Sequence, residues 1–398
     1  MHIGILAPIG PHGLKQYLCE ADAVRASSNS DAYGTAPTAL VGALLDAGHT
    51  VTAVSHRRGH SREVFSGERL TLVQVESRSS RRAQAFDMWQ AERRLMAKEI
   101  LRTDVDVVHA HWTYEWALTA IELEVDCPVG ITIRDAPLTV LRHNFNVYRL
   151  MRTALAVRVR ISSGKASLFA NSPYMASAWS KQMFDRRVPA ILPNMSPFVI
   201  GNPVVERASH PVVVEVADAG NRKNIKTLLE AFAMVRNVIE SVELRLLGPG
   251  LEDDSPLASW ARDANLDGGV TFLGICNRTD TINELSYAWV HAHAALEESF
   301  GNTLVEAMEL GTPVLGGQSS GAVPWVLNGG GAGRLTDVAS PDSLSADLVD
   351  LLSRPDELTR LSRSGTEHVR SAFGPATVAK LHIRAYELMI ESHRGVSL

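Results

Sequence analysis

At 398 residues the chain exceeds what one hydrophobic core usually organises, so two domains of about 200 residues each are expected. Hydrophobic residues at 45% and charged residues at 21% exclude whole-chain disorder, and a formal net charge of -5 excludes the broad basic attraction that nucleic-acid binding needs. The three cysteines, Cys19, Cys127 and Cys276, lack C-x-x-C or Cys/His ligand spacing, which fits a reducing compartment and a cytoplasmic protein.

The first eight residues, Met1 to Pro8, lack the basic start and long apolar run of a signal peptide and read as a short buried strand. A long polar segment follows from Gly10 to Tyr33. After Gly34, the run Ala39 to Leu45 has helical spacing and stops at Gly48, and Thr50 to Ser55 is strand-like, so these pieces form one βαβ unit. Val105 to His111, Val129 to Ile133 and Leu168 to Ser172 read as further strands. A stretch rich in Pro, Ser and Asn from Pro193 to about His210 marks the domain boundary. A second series then begins with the strand Val212 to Val216 and a helix through Leu228 to Phe232. The strands Leu244 to Leu247 and Val270 to Leu273 follow, and the last pattern, Thr377 to Met389, is helical. Alternation of this kind predicts an α/β protein of two doubly wound parallel sheets, which bind ligands beyond the carboxyl ends of their strands. The expected domains are residues 1–195 and 196–375, with 376–398 a terminal helix that packs back on the first.

The most informative segment is Glu297-Glu298-Ser299-Phe300-Gly301-Asn302-Thr303-Leu304-Val305-Glu306, continuing to Gly311-Thr312-Pro313-Val314-Leu315. It reads loop, helix, turn, strand. Gly301 permits close backbone approach, Asn302 or Thr303 can cap the helix, and Gly311 ends it. Amides at such a helix start suit an anion, a nucleotide diphosphate among them. Glu298 and Glu306 are good acceptors for sugar or ribose hydroxyls if the Gly301 break turns both toward one site. The competing reading of Glu306 is a capping box with Thr303, in which the carboxylate only satisfies the cap N–H.

The segment resembles the signature of glycosyltransferase family 4, a retaining family of GT-B architecture in which two Rossmann-like domains face each other across a cleft. The signature is Glu, seven residues, Glu, with Phe-Gly after the first acid. Glu298, Phe300, Gly301, Glu306, Ala307, Met308, Gly311, Pro313 and Val314 fall where it places them. The resemblance implies that Glu298 contacts donor-sugar hydroxyls near the reacting carbon and Glu306 the ribose. The loop Ser299, Phe300, Gly301, Asn302, Thr303 would approach the sugar and diphosphate. Upstream, Lys223 aligns with a family lysine that grips the diphosphate. The usual arginine, five residues earlier, is replaced here by Asp218, and Arg222 is the substitute cation.

Gly248 in Leu247-Gly248-Pro249-Gly250, Gly274 in Phe272-Leu273-Gly274, and the run Ser320 to Gly329 also resemble family elements, although each alone reads equally as a tight turn. In the first domain, Asp106 to His111 resembles a family strand ending in His-x-His. His111 has the alternative of a satisfied buried histidine. Arg134-Asp135 stands where many members carry a histidine that touches the donor sugar, and Gly34-Thr35 stands in for a glycine loop.

The implied activity is retaining transfer of a sugar from a UDP- or GDP-type nucleotide-sugar donor to a hydroxyl-bearing glycan, lipid-linked or small-molecule acceptor. No metal and no cofactor beyond the donor is implied. In catalytic roles the resemblance puts Glu298, Lys223, His111 and Arg134. Competing readings are an NDP-sugar epimerase, a phosphorylase, or a catalytically silent sugar-nucleotide-binding partner, since fold does not fix function. A dinucleotide oxidoreductase is disfavoured because Pro8 to Gly13 is not Gly-x-Gly-x-x-Gly. Arg149, Arg152, Arg158, Arg160 and Lys165 lie in a segment without clean helical periodicity. They read as a solvated surface, with peripheral contact to an anionic inner-membrane face as the alternative.

Overall fold

In the computed structural model, which describes residues 1–27, 34–143, 145–196 and 206–396, the short apolar runs become the strands of two sheets. The chain forms two compact units, Met1–Pro197 with Pro375–Leu398, and Phe198–Gly374. Residues 28–33 of the polar segment and 197–205 of the boundary stretch lie outside the described residues.

The first unit contains β1 (His2–Leu6), β2 (Thr50–His56), β3 (Glu63–Ser66), β4 (Leu70–Val75), β5 (Val107–His111), β6 (Val129–Ile133), β7 (Ser167–Ala170) and β8 (Ala190–Ile191). Their order is β3-β4-β2-β1-β5-β6-β7-β8. All neighbours pair in parallel except β3 with β4. The second unit contains β9 (Val212–Val216), β10 (Glu243–Leu247), β11 (Val270–Gly274), β12 (Val290–His293), β13 (Val314–Gly317) and β14 (Arg334–Thr336), all parallel, in the order β11-β10-β9-β12-β13-β14. Strand order reverses between β1 and β5 and between β9 and β12. The crevices at the carboxyl ends of those pairs are where open parallel sheets take ligands.

Two segments differ from their sequence reading. Gly10 to Tyr33 is not simply polar loop, because it holds a 3-10 turn, His12–Tyr17, and a helix, Glu20–Ser27. These are anchored by buried Ile9, Leu14 and Ala26, too few apolar positions to show a period. The basic segment is a helix, Val147–Ser162, whose N-cap Asn146 side chain accepts from the Arg149 amide. Its period is obscured because Arg152 occupies a core-facing position, 2.8 Å from the Glu115 carboxylate and 3.7 Å over the Tyr114 ring. Arg158 pairs with Glu122 and Arg160 with Asp185, so three of the five cations are matched by carboxylates and Arg152 is no surface residue. No helix among the described residues is long and apolar enough to cross a membrane.

The terminal helix Pro375–Val396 belongs to the first unit, where Val378, Ala379, Tyr386 and Met389 join the apolar layer that includes Ile3, Val107 and Phe169. Tyr386 also meets His109 of β5, with its hydroxyl 2.7 Å from Nδ1, while the other ring nitrogen lies 2.7 Å from the Thr132 hydroxyl. Tyr386→Phe should leave that buried imidazole nitrogen unpaired and lower stability by about 1–3 kcal/mol, read as a reduced denaturant midpoint with an unchanged slope.

Candidate active site

Two loops cross-link at the carboxyl ends of β9 and β12. After β9, Asp218 Oδ1 accepts from the Gly220 amide at 2.7 Å and closes the turn. The 3-10 turn Asn221–Lys223 then ends at Asn224, in the left-handed region at φ 58°, and the helix Ile225–Arg236 begins. The Asn224 side-chain amide donates to the Val338 carbonyl at 2.8 Å, fixing that unusual residue. After β12, the Leu296 amide donates to the Arg222 carbonyl at 2.9 Å, and Arg222 Nη1 donates to the Glu297 carbonyl at 2.7 Å. The Ala322 amide donates to the Glu298 carbonyl at 2.9 Å, so the Ser320 to Gly329 run also holds this loop. Asp218, the departure from the family arginine, is therefore a turn residue, and Arg222 and Lys223 are the cations carried to Glu298.

Glu298 is 7% exposed. Lys223 Nζ donates to its Oε1, Arg222 Nη1 lies 3.6 Å away, and His293 Nε2 lies 3.5 Å away. Burial alone would raise the carboxyl pKa, but His293, Lys223 and Arg222 outweigh it and hold Glu298 well below the usual carboxylate range.

His293 escaped the sequence reading. Its Nδ1 lies 3.3 Å from Glu215 Oε1 and its Nε2 faces Glu298, so one buried imidazolium bridges two carboxylates and its pKa rises to about 9, against the cost of burial. His291, also buried, donates from Nδ1 to the Val214 carbonyl at 3.1 Å, and burial pushes its pKa down to about 4. The available signal was a polar pattern inside strands: Val212 to Val216 is apolar except for Glu215, and β12 reads Val-His-Ala-His. Among the described residues, Glu215, His291 and His293 also form one set with ligand-capable atoms within 4.8 Å of one another.

The acidic helix takes a different register from the capping box. It runs Asn302–Glu309 with Gly301 as N-cap at φ 89°, and no side chain caps it. Thr303 is thus already inside the first turn. Neither Asn302 nor Thr303 occupies the cap, and Glu306 does not reach back to one; it lies 3.4 Å from Arg278 Nη1. Burial raises the Glu306 pKa, with Arg278 opposing. A Cβ on Gly301 would sit 2.6 Å from Leu304 Cδ1, a side-chain end that would have to move, and the positive φ itself favours glycine. The Phe300 ring is buried edge-on against Trp325 and Phe373, so only its backbone remains for a ligand. Ser299 lies in the same loop. Gly248 donates to the Gly274 carbonyl at 2.7 Å, and a Cβ on Gly248 would collide with the Ala217 carbonyl at 2.0 Å. The structure therefore brings Arg222, Lys223 and Glu298 together, with Gly248 and Gly274 in neighbouring turns of the same strand ends.

In the first unit His111 ends β5, and Arg134 follows β6. Arg134 Nε and Nη2 meet His111 Nδ1 at 3.0 and 2.8 Å, and Nη1 donates to Asn194 Oδ1. Gly34 is the N-cap of helix Thr35–Asp46, pressed against Pro8 and Trp112.

Two parallel α/β units with polar clusters at their strand switch points define the GT-B architecture. The profile described as Glycosyl transferases group 1 matches residues 202–368, and that described as Glycosyltransferase Family 4 matches residues 35–195. A lipopolysaccharide core biosynthesis glycosyltransferase of Rhizobium meliloti is 28% identical over 44% of this chain and 50% of its own, so the chain's match spans half of that relative. A phosphatidyl-myo-inositol mannosyltransferase of Mycolicibacterium smegmatis is 26% identical over 79% of each chain. In fold, the chain resembles sucrose-phosphate synthase of Thermosynechococcus elongatus with a TM-score of 0.76 at 16% identity, covering 98% and 100% of the two chains. With both of its halves matched, the chain belongs to glycosyltransferase family 4.

Because the folded pKa of His293 lies above the ordinary imidazole value near 6.5, the stability it contributes is complete below about pH 6.5 and lost as pH rises through about 9. The melting temperature of the wild type should fall between pH 7 and 9.5, and that of His293→Gln should change less. Equal slopes in a thermal-melt pH series would contradict the bridging imidazolium.

Proposed function

We propose that the chain transfers a sugar from a nucleotide-sugar donor to a hydroxyl acceptor, with retention of anomeric configuration and without a catalytic metal. The observation that carries this is the meeting of Lys223, Arg222 and Glu298 at the β9/β12 switch point, a cation pair and a buried ionised carboxylate at one ligand crevice. Lys223 and Arg222 stabilise the negative charge that grows on the departing diphosphate, the task a divalent ion performs elsewhere. Glu298 accepts hydrogen bonds from hydroxyls of the donor sugar. Glu306 serves the ribose, and the start of helix Asn302–Glu309, uncapped by any side chain, offers amides to the sugar and diphosphate. His111 and Arg134 are sugar-binding residues of the first unit in this reading.

In this reading the acceptor oxygen bonds to the anomeric carbon on the face that the nucleotide leaves. The bond from that carbon to the diphosphate oxygen breaks, and a donor phosphate oxygen takes the acceptor's proton. Glu298, already engaged by three cationic groups, is a donor binder rather than a nucleophile. Support for the donor class comes from relatives: one solved neighbour is described in complex with UDP and glucose, and a curated relative of Corynebacterium glutamicum is named as GDP-mannose-dependent.

Thermal stabilisation and slow donor hydrolysis across UDP-, GDP- and ADP-sugars, in EDTA, test the proposal. One donor should stabilise the wild type, the shift should vanish in Glu306→Ala, and EDTA should leave both readouts unchanged. No response to any donor from a folded protein would overturn the donor site; restoration only by a divalent ion would overturn metal independence.

A further inference from the structure

Arg134 is 6% exposed, yet none of the ion pairs among the described residues involves it. The other buried arginines of the first unit are compensated, Arg152 by Glu115 and Arg93 by Glu122. Arg134 has only neutral partners: His111 Nδ1 and the Asn194 side-chain oxygen. Burial without an opposing carboxylate pushes its pKa down to about 9. A buried cation left in this state is costly, and a fold keeps one where a ligand supplies the missing charge.

Three further observations lie around the same side chain. A guanidinium can only donate, so His111 Nδ1 accepts and its Nε2 carries the proton; that Nε2 is buried with no hydrogen-bond partner among the described residues. Trp112, between the strand end and Arg134, holds φ at 65°, and its ring lies 5.4 Å from the Arg134 guanidinium carbon. The Trp112 ring edge would lie 3.2 Å from a Cβ on Gly34, which packs the indole against the start of helix Thr35–Asp46. A guanidinium and an orphaned imidazole N–H thus meet at the carboxyl ends of β5 and β6, a setting favourable to negative charge.

We propose that Arg134, with His111, is a receptor for an oxyanion, a carboxylate or phosphate carried by a sugar substrate. The inference rests on the glycosyl-transfer reading and adds the class of sugar: an anionic one, entering either as the glycosyl group of the donor or as the acceptor. Arg134 supplies the countercharge, and Asn194 and His111 hold its planar fork in place.

The test is a titration of the full chain with paired ligands. One pair is a nucleotide-linked uronic acid against its neutral hexose counterpart; the other is glucose 6-phosphate against glucose in the presence of the nucleotide diphosphate. The nucleotide diphosphate alone is the control for the second unit's site. Wild type should prefer the anionic member of one pair by tenfold or more, and that pair identifies the donor or the acceptor as the source. Arg134→Gln should lose the preference while keeping its affinity for the nucleotide alone and an equal or higher melting temperature. Arg134→Lys should recover part of it. Nucleotide binding with no preference in either pair would overturn the receptor and leave the donor site standing, a result that needs no variant. A preference that survives in folded Arg134→Gln would also overturn it. Loss of nucleotide binding itself would instead count against the donor-site assignment.

Discussion

An ionised carboxylate held inside the protein is the constraint on which the second unit is built. Glu298 stays charged despite burial because Lys223, Arg222 and His293 surround it, and they reach it from two separate places in the chain. Lys223 and Arg222 arrive on the turn after β9, His293 at the end of β12, and Glu298 on the loop that follows. If any one strand shifted register, the carboxylate would lose a partner and burial would favour its neutral form. The backbone bonds Leu296 to Arg222 and Ala322 to Glu298 fix the same loops without charge, so geometry and electrostatics reinforce one another.

Glu215 and His293 extend that network into the sheet. Lys223 and Arg222 are the more exposed partners of Glu298, whereas His293 is walled in at 1% exposure. An imidazolium between two carboxylates gives Glu298 a countercharge that does not depend on the cations a ligand would recruit. That division separates a fixed partner, inside, from adaptable partners, outside.

The first unit presents the converse arrangement. Arg134 is as deeply placed as Glu298, but its surroundings are neutral: an imidazole, an amide and an indole face. One unit has met its buried charge from its own chain, and the other has left its buried charge unmet. The terminal helix bears on this difference, because Tyr386 takes up His109, the neighbour of His111 on the same face of β5, and leaves His111 to Arg134.

The sequence alone determined the alternation of strands and helices, because five-residue apolar runs and glycine-ended helices are local patterns. It also singled out Glu298, Lys223, Arg222, Glu306, His111 and Arg134 through their resemblance to the family pattern. It did not reveal β12, whose two histidines broke the apolar signal, or helix Val147–Ser162, whose Arg152 sits on the core side. The capping-box reading of Thr303 and Glu306 failed because Gly301 starts the helix two residues before Thr303. Only the tertiary structure decided which charges meet. Glu215, His293, Glu298 and Lys223 span more than 80 positions, and Arg134 and Asn194 span 60. Local pattern fixes what each segment becomes, but pairing across a sheet depends on strand order and register, which no window of sequence contains.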